Sequence, residues 1–259
     1  MAGPSKTNPS VRTDVRPPAF IYWGLQPAAL LVAYASAAGM LAPLDAYTGL
    51  LLVFVGLSLA EEVWPARSDW RQTWRERAGA IAVFVLSLAA MAVWQFLYPA
   101  LLDRPFAGVR EVLSPVWPDA LPMPVQVLLA FILLQFFAYW LHRFQHRISW
   151  FWRATGHGMH HTYTRLNAIN WNSNHPLEAV TLVAPVAILT LFFGIGEAAG
   201  IAATVAIANA ACAHLNVRVN GKVIGLIFTT NLHHVHHHSA DFRESNTNYG
   251  CSAILWDRL

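Results

Sequence analysis

Residues 124–146 read PVQVLLAFILLQFFAYWLHRFQH. The stretch from Val125 to Leu141 carries no charge. As a helix rising about 1.5 Å per residue it extends about 26 Å, close to the ~30 Å of a bilayer's hydrocarbon. His142 and His146 continue the same helix beyond the hydrocarbon edge, one turn apart and therefore on one face. Trp140, Trp150 and Trp152 fall at that level, where an interfacial aromatic belt is expected. A membrane span that runs straight into a pair of candidate metal ligands sets the frame for the rest of the chain.

Further apolar runs lie at 20–42, 49–64, 79–101 and 177–198, and a shorter one at 200–213 reads as half a span. Hydrophobic residues make up 56% of the chain and charged ones only 12%, about half the charged fraction of a soluble domain. The expected fold is an all-α integral membrane protein of about four to six transmembrane helices, carrying a cytoplasmic histidine-rich cap able to hold two metals. Residues 1–19 form a polar, proline-rich tail, and 20–259 form a single membrane-embedded domain. No signal peptide is expected, because the first apolar run is too long and lacks a small-residue cleavage site. Pro105, Pro115, Pro118, Pro122 and Pro124 forbid one continuous helix over 102–124. Cys212 and Cys251 form no CxxC pair and imply no disulfide framework.

The net charge of +3 reports topology, not a polynucleotide partner. With alternating spans and a cytoplasmic tail, Lys6, Arg12, Arg16, Arg67, Arg71, Arg75 and Arg77 lie inside. Arg143, Arg147, Arg153, Arg165, Arg218, Lys222, Arg243 and Arg258 join them, provided that 177–213 is a hairpin that returns. Only Arg104 and Arg110 remain outside. This positive-inside bias places the N-terminus and the histidines at the cytoplasmic surface.

Ten of the twelve histidines fall in three clusters: His142 and His146; His157, His160 and His161; and His233, His234, His236, His237 and His238. A lone pair such as His142 and His146 is commonly incidental, and a short histidine patch can be merely basic. Three clusters on one membrane face, with adjacent histidines able to serve two ions, point instead to a polyimidazole metal site. The third cluster can be read from its spacing as His233, His236, His237 or as His234, His237, His238. Gly196 and Gly200 make a GxxxG step, read as a site of close helix packing. Glu61 or Glu62 is expected to pair with Arg67, Arg71 or an arginine of the first histidine cluster. Asn170, Asn172 and Asn174 are expected to cap turns.

The stretch Tyr139-Trp140-Leu141-His142-Arg143-Phe144-Gln145-His146, followed by Trp152-Arg153 and His157-x-x-His160-His161, resembles the fatty acid hydroxylase / sterol desaturase superfamily. So do Asn174-His175-Pro176-Leu177-Glu178, His214-x-Asn216, His237-His238-Ser239, Asn248-Tyr249-Gly250 and Trp256-Asp257-Arg258-Leu259. The resemblance covers roughly residues 55–259. It implies a membrane enzyme holding two iron ions, with zinc as a possible substitute, that uses O2 as co-substrate on a lipid C–H bond. The spacing from Asn248 back to the last histidine pair selects His234, His237 and His238 as the third box. The implied ligands, which are also the catalytic set apart from His214, are His142, His146, His157, His160, His161, His214, His234, His237 and His238. His175 and Asn216 are weaker candidates, because Arg218, one turn beyond His214, cannot ligate. His233 and His236 are assigned to surrounding positions.

Two departures stand out. Asn246 replaces an acid that commonly precedes the NYG landmark, and the Phe-Gly-Thr that usually follows WDRL is not present, leaving truncation or a naturally short tail open. Asp241 and Asp257 remain as acids able to orient imidazoles. The resemblance implies a hydroxylase or desaturase acting on a sterol or fatty acyl chain. No flavin, haem or dinucleotide fingerprint is visible, so electrons must come from a ferredoxin, a b-type cytochrome or a reductase. The competing classes are a polyhistidine metal-binding membrane protein and a metal transporter, whose ligands belong near the bilayer midplane. A zinc hydrolase would carry a glutamate inside its motif, and neither His142 nor His157 is followed by one.

Overall fold

The computed structural model describes residues 15–259, and every long element in it is a helix. Six helices are long and apolar enough to cross a membrane: α1 (Ala19–Ala37), α2 (Ala46–Val63), α3 (Trp74–Leu102), α5 (Met123–Arg147), α7 (Ala179–Phe193, preceded by a 3-10 turn from Pro176) and α8 (Gly196–His214). Short helices α4 (Ala107–Leu113) and α6 (Ser149–Thr155) lie between them, and α9 (Asn231–His237) and α10 (Phe242–Ser245) follow. Two isolated bridges, Pro65 with Val217 and Phe228 with Ala253, are the only β pairing among the described residues. The protein is an all-α, multi-pass integral membrane protein.

The helix starts are written locally. Asp45 accepts from Thr48 N–H at 2.8 Å to begin α2, and Thr73 with Glu76 forms a capping box on α3. Proline in the first turn of α5 costs no hydrogen bond there. Gly194, at φ 73°, ends α7 in the left-handed region, and the chain reverses within two residues to start α8.

α8 is the centre of the bundle. It packs against α1, α5, α2 and α7, and 61% of its span is buried, against 11% for α3. Ala198, Ala199, Ala202, Ala208, Ala211 and Ala213 are almost fully enclosed, so backbones of neighbouring helices approach closely without large side chains between them. By contrast α2 and α3 expose Leu51, Leu52, Leu59, Val85, Leu86 and Phe96. An apolar surface of that extent suits lipid and not water.

The sequence expectations need four adjustments. The run at 200–213 is a full 19-residue helix because it recruits Gly196 to Ala199 as a first turn, with Ala198 and Ala199 buried in the bundle. The GxxxG step makes no close packing: a methyl group at Gly200 would meet nothing within 4 Å, and one at Gly196 only Thr190 Cγ2 at 3.7 Å. Glu62 pairs with Arg77, while Arg71 donates to the Glu62 carbonyl at 2.7 Å. Glu61 takes no arginine; its Oε1 accepts backbone N–H groups of Ala168 at 2.9 Å and Asn216 at 2.8 Å. Lys6 and Arg12, expected on the cytoplasmic side, and most of the tail lie outside the described residues. Asn167 and Asn170 cap the turn after the second cluster, while Asn172 accepts from Ser87 in α3.

Because Ala202 is fully buried at the centre of α8, Ala202→Leu is expected to destabilise the bundle by about 1–3 kcal/mol through overpacking. Thermal unfolding of the detergent-purified protein measures it, with Leu51→Ala on the lipid face as a near-neutral control.

Candidate metal centre

Nine histidines meet where α5 and α8 end. His142, His146, His157, His161 and His237 form one group, and His160, His214, His234 and His238 form the other; within each group one ligand atom per residue lies within 4.8 Å of the rest. His142 and His146 sit in the last turns of α5, and His214 is the last residue of α8. His157 to His161 lie in a 3-10 turn, and α9 supplies His234 and His237 with His238 at its cap. Adjacent side chains diverge into different groups, His160 from His161 and His237 from His238. The His161 and His238 rings stack 4.5 Å apart across the divide.

The imidazoles turn the same nitrogen inward. His142 Nε2 lies 3.0 Å from both His157 Nε2 and His237 Nε2, and His157 Nε2 is 3.0 Å from His146 Nε2 and 3.2 Å from His161 Nε2. In the second group His214 Nε2 is 3.3 Å from His160 Nε2 and 3.2 Å from His234 Nε2, and His238 Nε2 is 3.1 Å from His234 Nε2.

The outward nitrogens decide what those contacts mean. Nδ1 of His142 meets the Tyr249 carbonyl at 2.7 Å, that of His237 the Thr247 carbonyl at 2.8 Å, and that of His214 the Ala210 carbonyl at 2.9 Å. A carbonyl can only accept, so each Nδ1 carries the proton and the Nε2 of the neutral ring is a bare lone pair. His157 donates likewise to the Glu178 carboxylate at 2.6 Å, with both groups buried. The lone pairs of His142 and His237 therefore face each other at hydrogen-bond distance with no proton between them. Such a set repels itself unless cations sit among the nitrogens, so the residues fit a metal centre.

Electrostatics agree for the histidines outside the spans. Burial, reinforced by neighbouring imidazoles, holds His160, His234, His237 and His238 well below the usual histidine range, and takes His161 down to about 2. They remain neutral and able to ligate. Cys251 Sγ lies 3.3 Å from His142 Nδ1, but burial pushes its thiol up to about 12, so it is no thiolate ligand.

The weaker candidates stand apart from both groups. His175 accepts Leu177 N–H at 3.2 Å, and its ring covers Gly156, where a Cβ would come within 2.5 Å of His175 Cγ. Gly156 also sits at φ +70°, so glycine there serves both the turn and the close approach. Asn216 is spent on the backbone of Arg67 through both side-chain atoms, at 3.0 Å each. His233 caps α9 on Thr230, and His236 is exposed. Asp241 caps α10 and reaches no imidazole. Asp257 takes the N–H groups of Tyr249 and Gly250, each at 2.7 Å, and so orients the strand of backbone that holds His142. Asn246 accepts from the Tyr249 hydroxyl through its side-chain Oδ1 and, at 2.8 Å, through its backbone carbonyl, and reaches no imidazole. The acid that does bind an imidazole, Glu178, was visible in sequence only as part of the Asn174–Glu178 landmark.

The fatty acid hydroxylase family model matches residues 127–259, just over half of the chain and every residue of both groups. The chain belongs to the fatty acid hydroxylase family. It is also 30% identical over 214 residues to ornithine lipid hydroxylase OlsE of Rhizobium tropici, covering 78% of this chain and 62% of that protein. The chain thus spans about three-fifths of the length of that curated relative. No solved structure matches it.

Two outcomes follow for this fatty acid hydroxylase family member. Glu178→Gln should weaken metal binding about 10–100-fold while the spans stay folded, whereas Asp241→Asn should not; metal titration against a chelator compares them. The folded-state values of the histidines named above lie below the unfolded value of 6.5, so below that pH the unfolded chain binds more protons. Metal-free protein should then lose stability from pH ~6.5 downward, by up to about 1.4 kcal/mol per pH unit for each such group. Its melting temperature across that range is the measurement.

Proposed function

We propose that this protein is a membrane-bound, O2-dependent oxygenase that hydroxylates an unactivated C–H bond of a lipid, using two irons held by the nine histidines. The observation that carries the reading is the confrontation of the bare Nε2 lone pairs of His142 and His237 within one of two adjacent histidine groups. His142, His146, His157, His161 and His237 would hold one ion, and His160, His214, His234 and His238 the other, with zinc able to substitute in purified material. When bound, two irons supply the reductive activation of O2 needed to take hydrogen from an alkyl carbon.

The chain's own part is to position and protect. The Tyr249, Thr247 and Ala210 carbonyls and the Glu178 carboxylate fix ring orientation, so the donors are set before any ion arrives. Burial of the histidines keeps bulk water from them. A cavity of about 800 Å³ lined by apolar Leu166, Leu215 and Val235 reaches His238, giving a lipid a route to the site. Each hydroxylation consumes one O2, two electrons and two protons and releases one water. The electrons are expected from a ferredoxin, a b-type cytochrome or a reductase docking on the cytoplasmic face, where we also place the N-terminus and both histidine groups. The substrate is a lipid, such as a sterol or an acyl-chain lipid; the hydroxylase name of the relative favours oxygen insertion over desaturation. Ligands at the span ends fit this reading better than a transporter, whose site would lie in mid-membrane.

Purified protein should contain about two irons per chain. His160→Ala and His237→Ala should each lose iron and abolish product while the helical content is unchanged. Lipidomics of a host with and without the protein should show a lipid gaining one oxygen. A single zinc with no O2 consumption would overturn the proposal.

A further inference from the structure

Two cavities share Tyr22 and Arg218 as walls. The larger, of about 800 Å³, is also lined by Lys222, Glu244 and His238. The smaller, of about 390 Å³, adds Arg16 and Trp23. The segment that carries Arg218 and Lys222 is tied to α1 by Asn220 N–H on the Tyr22 carbonyl at 2.9 Å. Three cations thus gather around one opening at the start of a membrane span.

Their pairing is unusual. Arg67, on the same lining, is committed to Asp69 at 3.0 Å and lies over the Trp70 ring. Arg16, Arg218 and Lys222 are exposed, and none of the ion pairs among the described residues uses them. The carboxylate on the lining, Glu244, is held by the Ser239 hydroxyl next to His238. The cavity therefore has unneutralised positive charge at the α1 side and a histidine of the metal centre elsewhere on its wall, with Leu215, Val219 and Leu232 between polar groups. A small soluble anion would use the cations and leave the apolar wall idle. An amphiphile uses both, and Tyr22 and Trp23 mark the level where headgroups lie.

We propose that this cavity seats the polar head of an amphiphile bearing a carboxylate or phosphate, held by Arg218 and Lys222 with Arg16 at the rim, and that the adjoining carbons extend toward His238. The assignment of the reacting end rests on the lipid-oxygenase reading; the anion grip does not. It makes Arg218 and Lys222 specificity residues for the head, acting by charge-assisted hydrogen bonds.

The test is equilibrium binding to the full-length, metal-loaded protein in a neutral maltoside detergent. The probes are N-dodecanoylglycine, its uncharged twin N-dodecanoylglycinamide, and inorganic phosphate. Wild type should bind the acid at least about tenfold tighter than the amide, a difference of about 1.4 kcal/mol. The Arg218→Gln/Lys222→Gln double variant should bind the two alike, at its unchanged iron content. Arg153→Gln, which removes an exposed cation remote from the lining, should keep the preference. Equal binding of acid and amide by wild type, or a preference that survives the double substitution, overturns the proposal. So does phosphate binding as tightly as the acid, which would make the site one for free anions. Oxidised lipid without any charge preference would sink this inference alone; a charge preference in a protein that never oxidises lipid would sink only the oxygenase reading.

Discussion

Lone pairs that face one another across about 3 Å, deep in protein and without protons to share, are the constraint on which this molecule is organised. In His142, His157, His214 and His237 the inward nitrogen is bare because the opposite nitrogen has been given an acceptor elsewhere: a carbonyl of α8, a carbonyl in the 247–249 segment, a carboxylate before α7. Cations relieve that arrangement, so the repulsion built into the site and its capacity to hold metal have one origin. Buried, neutral and oriented imidazoles lose little on binding a metal, since their protons are already off and their rings already aimed.

The membrane bundle serves this geometry by holding two helix ends level. α8, walled with alanines, lets α5 and α1 come close, so His214 can stand beside histidines from distant segments. Glu61 adds a polar clamp from α2, joining the turn after the second histidine cluster to the segment that follows α8 with a single oxygen. Lipid on the outside requires apolar surfaces on α2 and α3, and the same solvent would let the hydrophobic substrate of the proposed reaction arrive without crossing water.

Much of this was legible in the residues. Long uncharged runs announce spans because an unpaired backbone cannot lie in hydrocarbon, and the His142–His146 step on one such helix marked where chemistry would gather. The division of adjacent histidines between two groups was also expressible as a matter of side-chain direction. Other features were not readable. The 200–213 run seemed short because its first turn, Gly196 to Ala199, is punctuated by glycine and glutamate, and the burial of Ala198 and Ala199 that extends it has no local signature. Gly196 and Gly200 carried a packing motif with no partner opposite it. Glu178 looked like one polar residue in a landmark, since nothing local reveals that His157, twenty-one positions away, lies beneath its carboxylate. Carbonyl partners such as Tyr249 and Thr247 have no sequence signature at all.

The grip of Asp257 on the backbone of Tyr249 and Gly250, and of Tyr249 on His142, has a temporal meaning. The helix bearing His142 emerges from the ribosome more than a hundred residues before the carboxylate that completes its support. During synthesis the early histidines must wait in the membrane surface, unpaired with their later neighbours, while α7 and α8 insert. A metal held by both groups could therefore be bound only after α8 and α9 are in place.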